Sequence, residues 1–185
     1  MALSQEHGFP TYVAVGMIAR GWALALQGQG EEGIVQLHQG RTAFQAGGAE
    51  LDRPRCLAVL AEAYGKVGQT EAGLTVLAEA LAAAHNTGER YWEAEMHRLQ
   101  GELLLRRASP TEEVEACFRQ ALAIARQQQA KSLELRAAMS LSRLWQGQGK
   151  RAEAHDLLAP IYGWFTEGFD TADLQEARVL LEELA

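Results

Sequence analysis

The sequence predicts an all-α protein, a solenoid of stacked helical hairpins, and three observations carry that prediction. The composition favours helix: Ala, Leu, Glu, Gln and Arg dominate, β-branched residues are scarce, and 4 prolines are spread over 185 residues. One outline recurs from Gly21, Ala61, Gly101 and Ser142, at separations of 40, 40 and 41 residues. It consists of an apolar helix, a short Gly/Gln turn, an acidic helix start and a second apolar helix. Small and large residues also alternate at fixed places in each copy, as interlocking antiparallel helices require.

The copies read GWALALQGQGEEGIVQLHQG from Gly21, AEAYGKVGQTEAGLTVLAEA from Ala61, GELLLRRASPTEEVEACFRQA from Gly101 and SRLWQGQGKRAEAHDLLAPI from Ser142. Each opens on a small residue where two helices must approach closely, followed three residues later by Leu24, Tyr64, Leu104 or Trp145. In the second helix Leu37, Leu77, Phe118 and Leu158 stand three residues before Gly40, Ala80, Ala121 and, as an exception, Ile161. This pattern resembles the tetratricopeptide (TPR) repeat, whose outline is W-x2-L-G-x2-Y followed by A-x3-F-x2-A. The opening Trp is absent here, the third copy carries one extra turn residue, and the period exceeds the family's usual ~34 residues. Longer helices are implied. The resemblance implies a right-handed superhelical solenoid of about four hairpins, ended by a C-terminal capping helix.

Helices are predicted near residues 10–27, 31–46, 51–67, 70–85, 88–107, 110–128, 131–147, 150–164 and 171–184. They pair into repeats over 10–46, 51–85, 88–128 and 131–164, with 171–184 as the cap, in a single domain spanning 1–185. Ser109 is expected as an N-cap, with Pro110 at the first helical position and Glu112 three residues after the cap. Thr70 before Glu71 and Thr87 before Glu89 mark two further starts. Gly28, Gly30, Gly65, Gly68, Gly147 and Gly149 punctuate the turns. Asp170 and Asp173 suit the positive end of the last helix, whose apolar residues are Leu174, Ala177, Leu180, Leu181 and Leu184. The first helix is the anomaly. Residues 11–26, TYVAVGMIARGWALAL, are apolar almost all round and need cover on two sides, whereas a terminal repeat should show a polar outer face. This predicts a homodimer, or a missing N-terminal neighbour, through Tyr12, Val13, Met17 and Trp22.

A formal charge of −7 repels phosphate backbones and anionic lipid, so nucleic acid and membrane surfaces are not expected as partners. Residues 11–26 come closest to a spanning segment, and Arg20 interrupts them. No signal peptide is recognised, and Cys56 and Cys117 form no CxxC, which reads as buried thiols in a reducing cytoplasm. Neither GxxxxGK(S/T) nor HExxH occurs, so no cofactor, no metal and no enzymatic activity are expected. His97 with Glu93, one helical turn apart, and the nearby Glu95 read as a solvated face rather than a metal site. His38, His85 and His155 read as surface or partly packed histidines, and Ser140, Ser142 and Cys117 have no His and Asp arranged around them. Trp145 falls on a packing position; Trp22, Trp92 and Trp164 remain open between core and ligand contact.

In tetratricopeptide stacks the first helix of each hairpin lines a concave groove. The groove-facing positions are one after, three before and six before the small packing residue. They select Trp22, Arg55, Glu62, Glu95, Arg98, Glu102, Arg136 and Arg143, and Lys66 and Arg106 join them five residues after it. Arginine forks favour carboxylates, which points to a protein partner presenting an acidic peptide or acidic loop. The Lys/Asn clamp of chaperone-tail binders is missing from the first repeat, where Ile18 and Trp22 occupy such places.

The stretches ERYWEAEMHRLQGELLL (89–105) and AKSLELRAAMSLSRLWQGQGKRAEAHDLLAPIYGWFTEGFDTADLQEA (130–177), with SQEHGF and RGWALALQGQGEEGI, carry a narrower resemblance. They resemble the C-terminal repeat region of large bacterial signalling ATPases, in which a class III adenylate/guanylate cyclase or DNA-binding domain precedes the ATPase module. The resemblance implies a regulatory, protein-binding part of a larger protein. A homotypic dimerisation module and a small-molecule-sensing repeat are the alternatives.

Overall fold

The computed structural model describes residues 10–46 and 52–185. Among these residues the secondary structure is nine α-helices and no strand. They are α1 (Pro10–Leu26), α2 (Gly30–Ala46), α3 (Arg53–Lys66), α4 (Thr70–Thr87), α5 (Glu93–Arg106), α6 (Thr111–Gln127), α7 (Lys131–Gly147), α8 (Arg151–Tyr162) and α9 (Ala172–Leu184). They gather into two compact units, Met1–Arg90 and Tyr91–Ala185.

In the first unit α1–α2 and α3–α4 form hairpins, and α3 also packs on both α1 and α2. The first hairpin closes backbone to backbone. A Cβ on Gly21 would lie 2.8 Å from the carbonyl oxygen of Gly33, and one on Gly33 only 2.6 Å from that of Gly21. Neither site can take a side chain unless the helices separate. In this closely packed hairpin Ala14, Ile18 and Ala25 of α1 and Leu37 and Phe44 of α2 are buried. In α3 the run Leu57–Ala61 is buried throughout, because that helix is covered from more than one side.

The second unit repeats the plan with different side chains. Hairpins α5–α6 and α7–α8 are followed by α9, which packs on α7 and α8. Gly101 faces the Phe118 ring, 2.4 Å from where a Cβ would sit. At the equivalent place Ser142 is fully buried and its hydroxyl donates to the Ala154 carbonyl at 3.0 Å, which satisfies the polar group inside the seam. Leu133 of α7 packs against Ala94, Ile124 and Ala125.

The hairpin turns share one capping device. The N–H groups of Gln29, Gln69, Ser109 and Lys150 donate at 2.9, 2.9, 3.0 and 2.9 Å to the carbonyls of Leu24, Tyr64, Leu104 and Trp145. This six-to-one bond closes a Schellman motif and needs a left-handed residue just before the donor. Gly28, Gly68 and Gly149 supply it, whereas in the longer third turn Ala108 adopts φ 60°.

Three predicted boundaries are corrected. The helix expected from residue 88 starts at Glu93, because Gly88 (φ 77°) ends α4 and Thr87 is the last residue of that helix. Ser109 does not cap α6: the first helical carbonyl acceptor is Pro110, and the Ser109 hydroxyl accepts from Arg107 Nε at 3.0 Å. The eighth helix ends at Tyr162 rather than 164. Leu51, where the third helix was expected to begin, lies outside the described residues, as does SQEHGF.

Candidate functional site

The positions singled out one after, three before and six before the small packing residue bring successive first helices into contact within each unit. In the first unit the residue one after Gly21 meets the residue one after Ala61: Trp22 Nε1 donates to Glu62 Oε2 at 2.8 Å. Arg55 is held within its own helix start, its Nε donating to the two Asp52 carboxylate oxygens at 2.9 and 2.8 Å. Beside this seam Tyr64 shares a 2.9 Å hydrogen bond with His38 Nε2 and meets that ring edge-on. Burial, with the nearby Arg41 charge, lowers the His38 pKa from its ordinary value. Lys66 is exposed.

In the second unit the same positions build a buried ionic cluster. Glu95 and Arg98, expected to face an open groove, are only 2% and 9% exposed. Arg98 forks onto Glu95 through Nε at 2.9 Å and Nη2 at 2.7 Å. Arg136, one repeat later, donates to the same carboxylate at 2.8 and 3.3 Å. Burial alone would raise the Glu95 pKa, but the charges and hydrogen bonds of Arg98 and then Arg136 outweigh it and hold the carboxyl below its usual range. Glu102 accepts from the Ser140 hydroxyl at 2.8 Å and from Arg98 at 3.3 Å. Asp173 at the start of α9 faces Arg136 at 3.5 Å. Arg143 pairs with Glu176 at 2.9 Å on the surface, and Arg106 is exposed. Four of the arginines expected to grip a ligand, Arg55, Arg98, Arg136 and Arg143, are therefore bound to this chain's own carboxylates, and Arg98 and Arg136 share the buried Glu95.

Sequence reasoning missed a second cluster. Glu134, 4% exposed, accepts from Arg126 at 2.9 Å and Lys131 at 2.7 Å. The Lys131 ammonium also stands 5.6 Å from the centre of the exposed Trp164 ring. These residues and Gln129 line an open cleft. The available signal was a lysine three residues before the glutamate.

Of the residues expected in self-association, Tyr12 is 68% exposed, while Val13, Met17 and Trp22 are partly covered. Trp145 is half-buried with the Arg119 guanidinium 5.3 Å from its ring centre, and Trp92 is half-buried at the start of α5. Cys56 is buried, and desolvation first, then the Asp52 charge, pushes its thiol up to about 11, the wrong direction for a nucleophile. Among the described residues no group of three or more His, Cys, Asp or Glu is placed to hold a metal, and no helix is long and apolar enough to cross a membrane.

No protein-family model matches the chain. An uncharacterized protein of Rhizobium meliloti (strain 1021) is 30% identical over 141 residues, covering 76% of this chain. The chain spans only 14% of that relative's length. Among solved structures, the nearly identical TPR-like repeats of a Podosopora anserina protein assigned as a kinesin light chain align with a TM-score of 0.66 at 19% identity. The alignment covers 95% of this chain and 86% of that one. A point variant of the same protein gives 0.64 at 19% identity, over 95% and 93%. The fold is thus an all-α, TPR-like helical repeat of the solenoid class.

Proposed function

We propose that this chain is a protein-interaction module, the regulatory C-terminal part of a larger bacterial signalling ATPase or cyclase, and that it takes acidic peptide segments. The observation that carries the reading is the division of labour among its cations. In the second unit Arg98 and Arg136 are locked onto Glu95 as a rigid floor while Arg106, on the same helix as Arg98, projects into solvent; in the first unit Lys66 holds the equivalent repeat position and is also exposed. Exposed cations at such repeat positions favour carboxylates over neutral segments. A relative many times longer than the match supports a place within a larger protein.

Fluorescence anisotropy with a labelled Asp/Glu-rich peptide tests it. Binding should weaken as salt rises, and Lys66→Glu or Arg106→Glu should cost about tenfold or more in affinity. Equal binding of an Asn/Gln counterpart would remove the acidic-ligand reading. Homotypic pairing is the second reading, favoured by the exposure of Tyr12. Light scattering over a dilution series decides it.

A further inference from the structure

Apart from Arg20, which faces Glu32 of α2, the exposed residues of α1 form a stripe of their own. Tyr12 and Leu26 are 68% and 50% exposed, Val15 is 38% exposed, and Ala19 and Ala23 also face solvent. The spacing keeps all five on one helical face. The buried set Ala14, Ile18, Gly21 and Ala25 lies on another face, turned to α2.

Where a hairpin precedes them within the same unit, the repeat positions of Ala19, Ala23, Tyr12 and Val15 are buried or half-buried, while the Leu26 position, held there by Lys66 and Gly147, stays exposed. In α3, which packs on α1 and α2, Val59 and Ala63 take the places of Ala19 and Ala23 and are 1% and 0% exposed. In α7, which packs on α5 and α6, Ser140 takes the place of Ala19 and is 4% exposed. Leu133 takes the place of Tyr12 and packs against Ala94, Ile124 and Ala125 of the hairpin before it. Nothing distinguishes the α1 positions in spacing. Among the described residues, no hairpin stands in front of them.

We infer that the outer face of α1 is the docking surface for a preceding hairpin of the same repeat kind, supplied by the parent polypeptide. The inference rests on the proposal that this chain is part of a larger protein. Continuity with the interfaces that cover α3 and α7 sets the geometry, and the relative's length leaves ample chain for further repeats. A second copy is the weaker occupant. A 17-residue helix is about 25 Å long, and one stripe with three large side chains falls well short of the roughly 1,600 Å² that a stable dimer buries. A covalently attached hairpin loses no translational freedom on docking, so a small apolar face is sufficient for it.

The test compares the full-length native product with the 185-residue chain by hydrogen exchange read by mass spectrometry. The native product should be far larger than 20.2 kDa, and α1 amides should exchange about tenfold or more slowly in it than in the isolated chain. Ala19→Glu with Ala23→Glu should abolish that difference in the full-length protein while leaving the isolated chain monomeric and its melting unchanged. Equal α1 exchange in a longer product overturns this inference alone. A native product of 20.2 kDa overturns it together with the larger-protein reading. An isolated chain that dimerises, and that the same pair of substitutions makes monomeric, assigns the face to a second copy and also overturns it.

Discussion

The two units place residues at the same repeat positions and fill them with different chemistry. In the first, the Trp22 indole donates a hydrogen bond from one first helix to Glu62 of the next, and the hairpin beside it closes by glycine on glycine. In the second, successive first helices meet through Glu95, Arg98, Glu102, Arg136 and Ser140, and the hairpins close on Phe118 and on the Ser142 hydroxyl. The repeat therefore fixes where contacts occur and leaves their chemistry free. In both units, some residues selected because they should face a groove, Trp22 and Glu62 in the first and Glu95, Glu102 and Arg136 in the second, touch the neighbouring first helix instead.

The largest break of this comparison is expected from Arg98→Met. It strips the main partner from a carboxylate that is 2% exposed, and breaking a buried pair in this way costs about 3–5 kcal/mol. Urea unfolding with exchange resolved by unit should place that loss in the second unit. Gly21→Val should act on the first unit instead. Its new Cβ meets backbone at 2.8 and 2.9 Å, and overpacking of this kind costs about 3 kcal/mol. Trp22→Phe keeps an aromatic ring, though a smaller one, and removes one hydrogen bond to a carboxylate, for about 1 kcal/mol in the same measurement.

Acid should separate the units more gently. Glu95 and Glu134 have folded pKa values lowered below the ordinary carboxylate value, so their contribution is complete above about pH 4.5 and is lost as pH falls through the folded values. His38 also has a lowered folded pKa. The unfolded chain binds its proton first, so its contribution is complete above about pH 6.5 and declines below it. Amide exchange followed from pH 7.5 to 4 should show the first unit loosening before the second, and His38→Gln should delay that onset.

How much of this was legible follows from the range of each signal. Gly21, Ala61, Gly101 and Ser142 could be found because close packing needs small residues at a fixed period, and all four are buried. The turns could be found because a Schellman bond needs a left-handed residue, although Ala108 shows that glycine is not obligatory. The Ser109 and Thr87 caps failed because local cap signals compete with stronger neighbours, Pro110 and Gly88. The burial of Glu95 and Arg98 was beyond local reading. It depends on Arg136, about one period away, arriving beside them. Glu134 escaped for a related reason, since the cation Arg126 reaches it across a turn.

The central claim is that these repeat positions hold one another, and a double-mutant cycle on Glu95 and Arg136 tests it most directly. Glu95→Gln, Arg136→Met and the double variant would be compared by urea unfolding. The structure predicts a coupling of about 1.5–3 kcal/mol, since the 2.8 Å contact joins two helices across nearly one repeat. Additivity within about 0.5 kcal/mol would contradict the account, because the two side chains would then be neighbours without being partners.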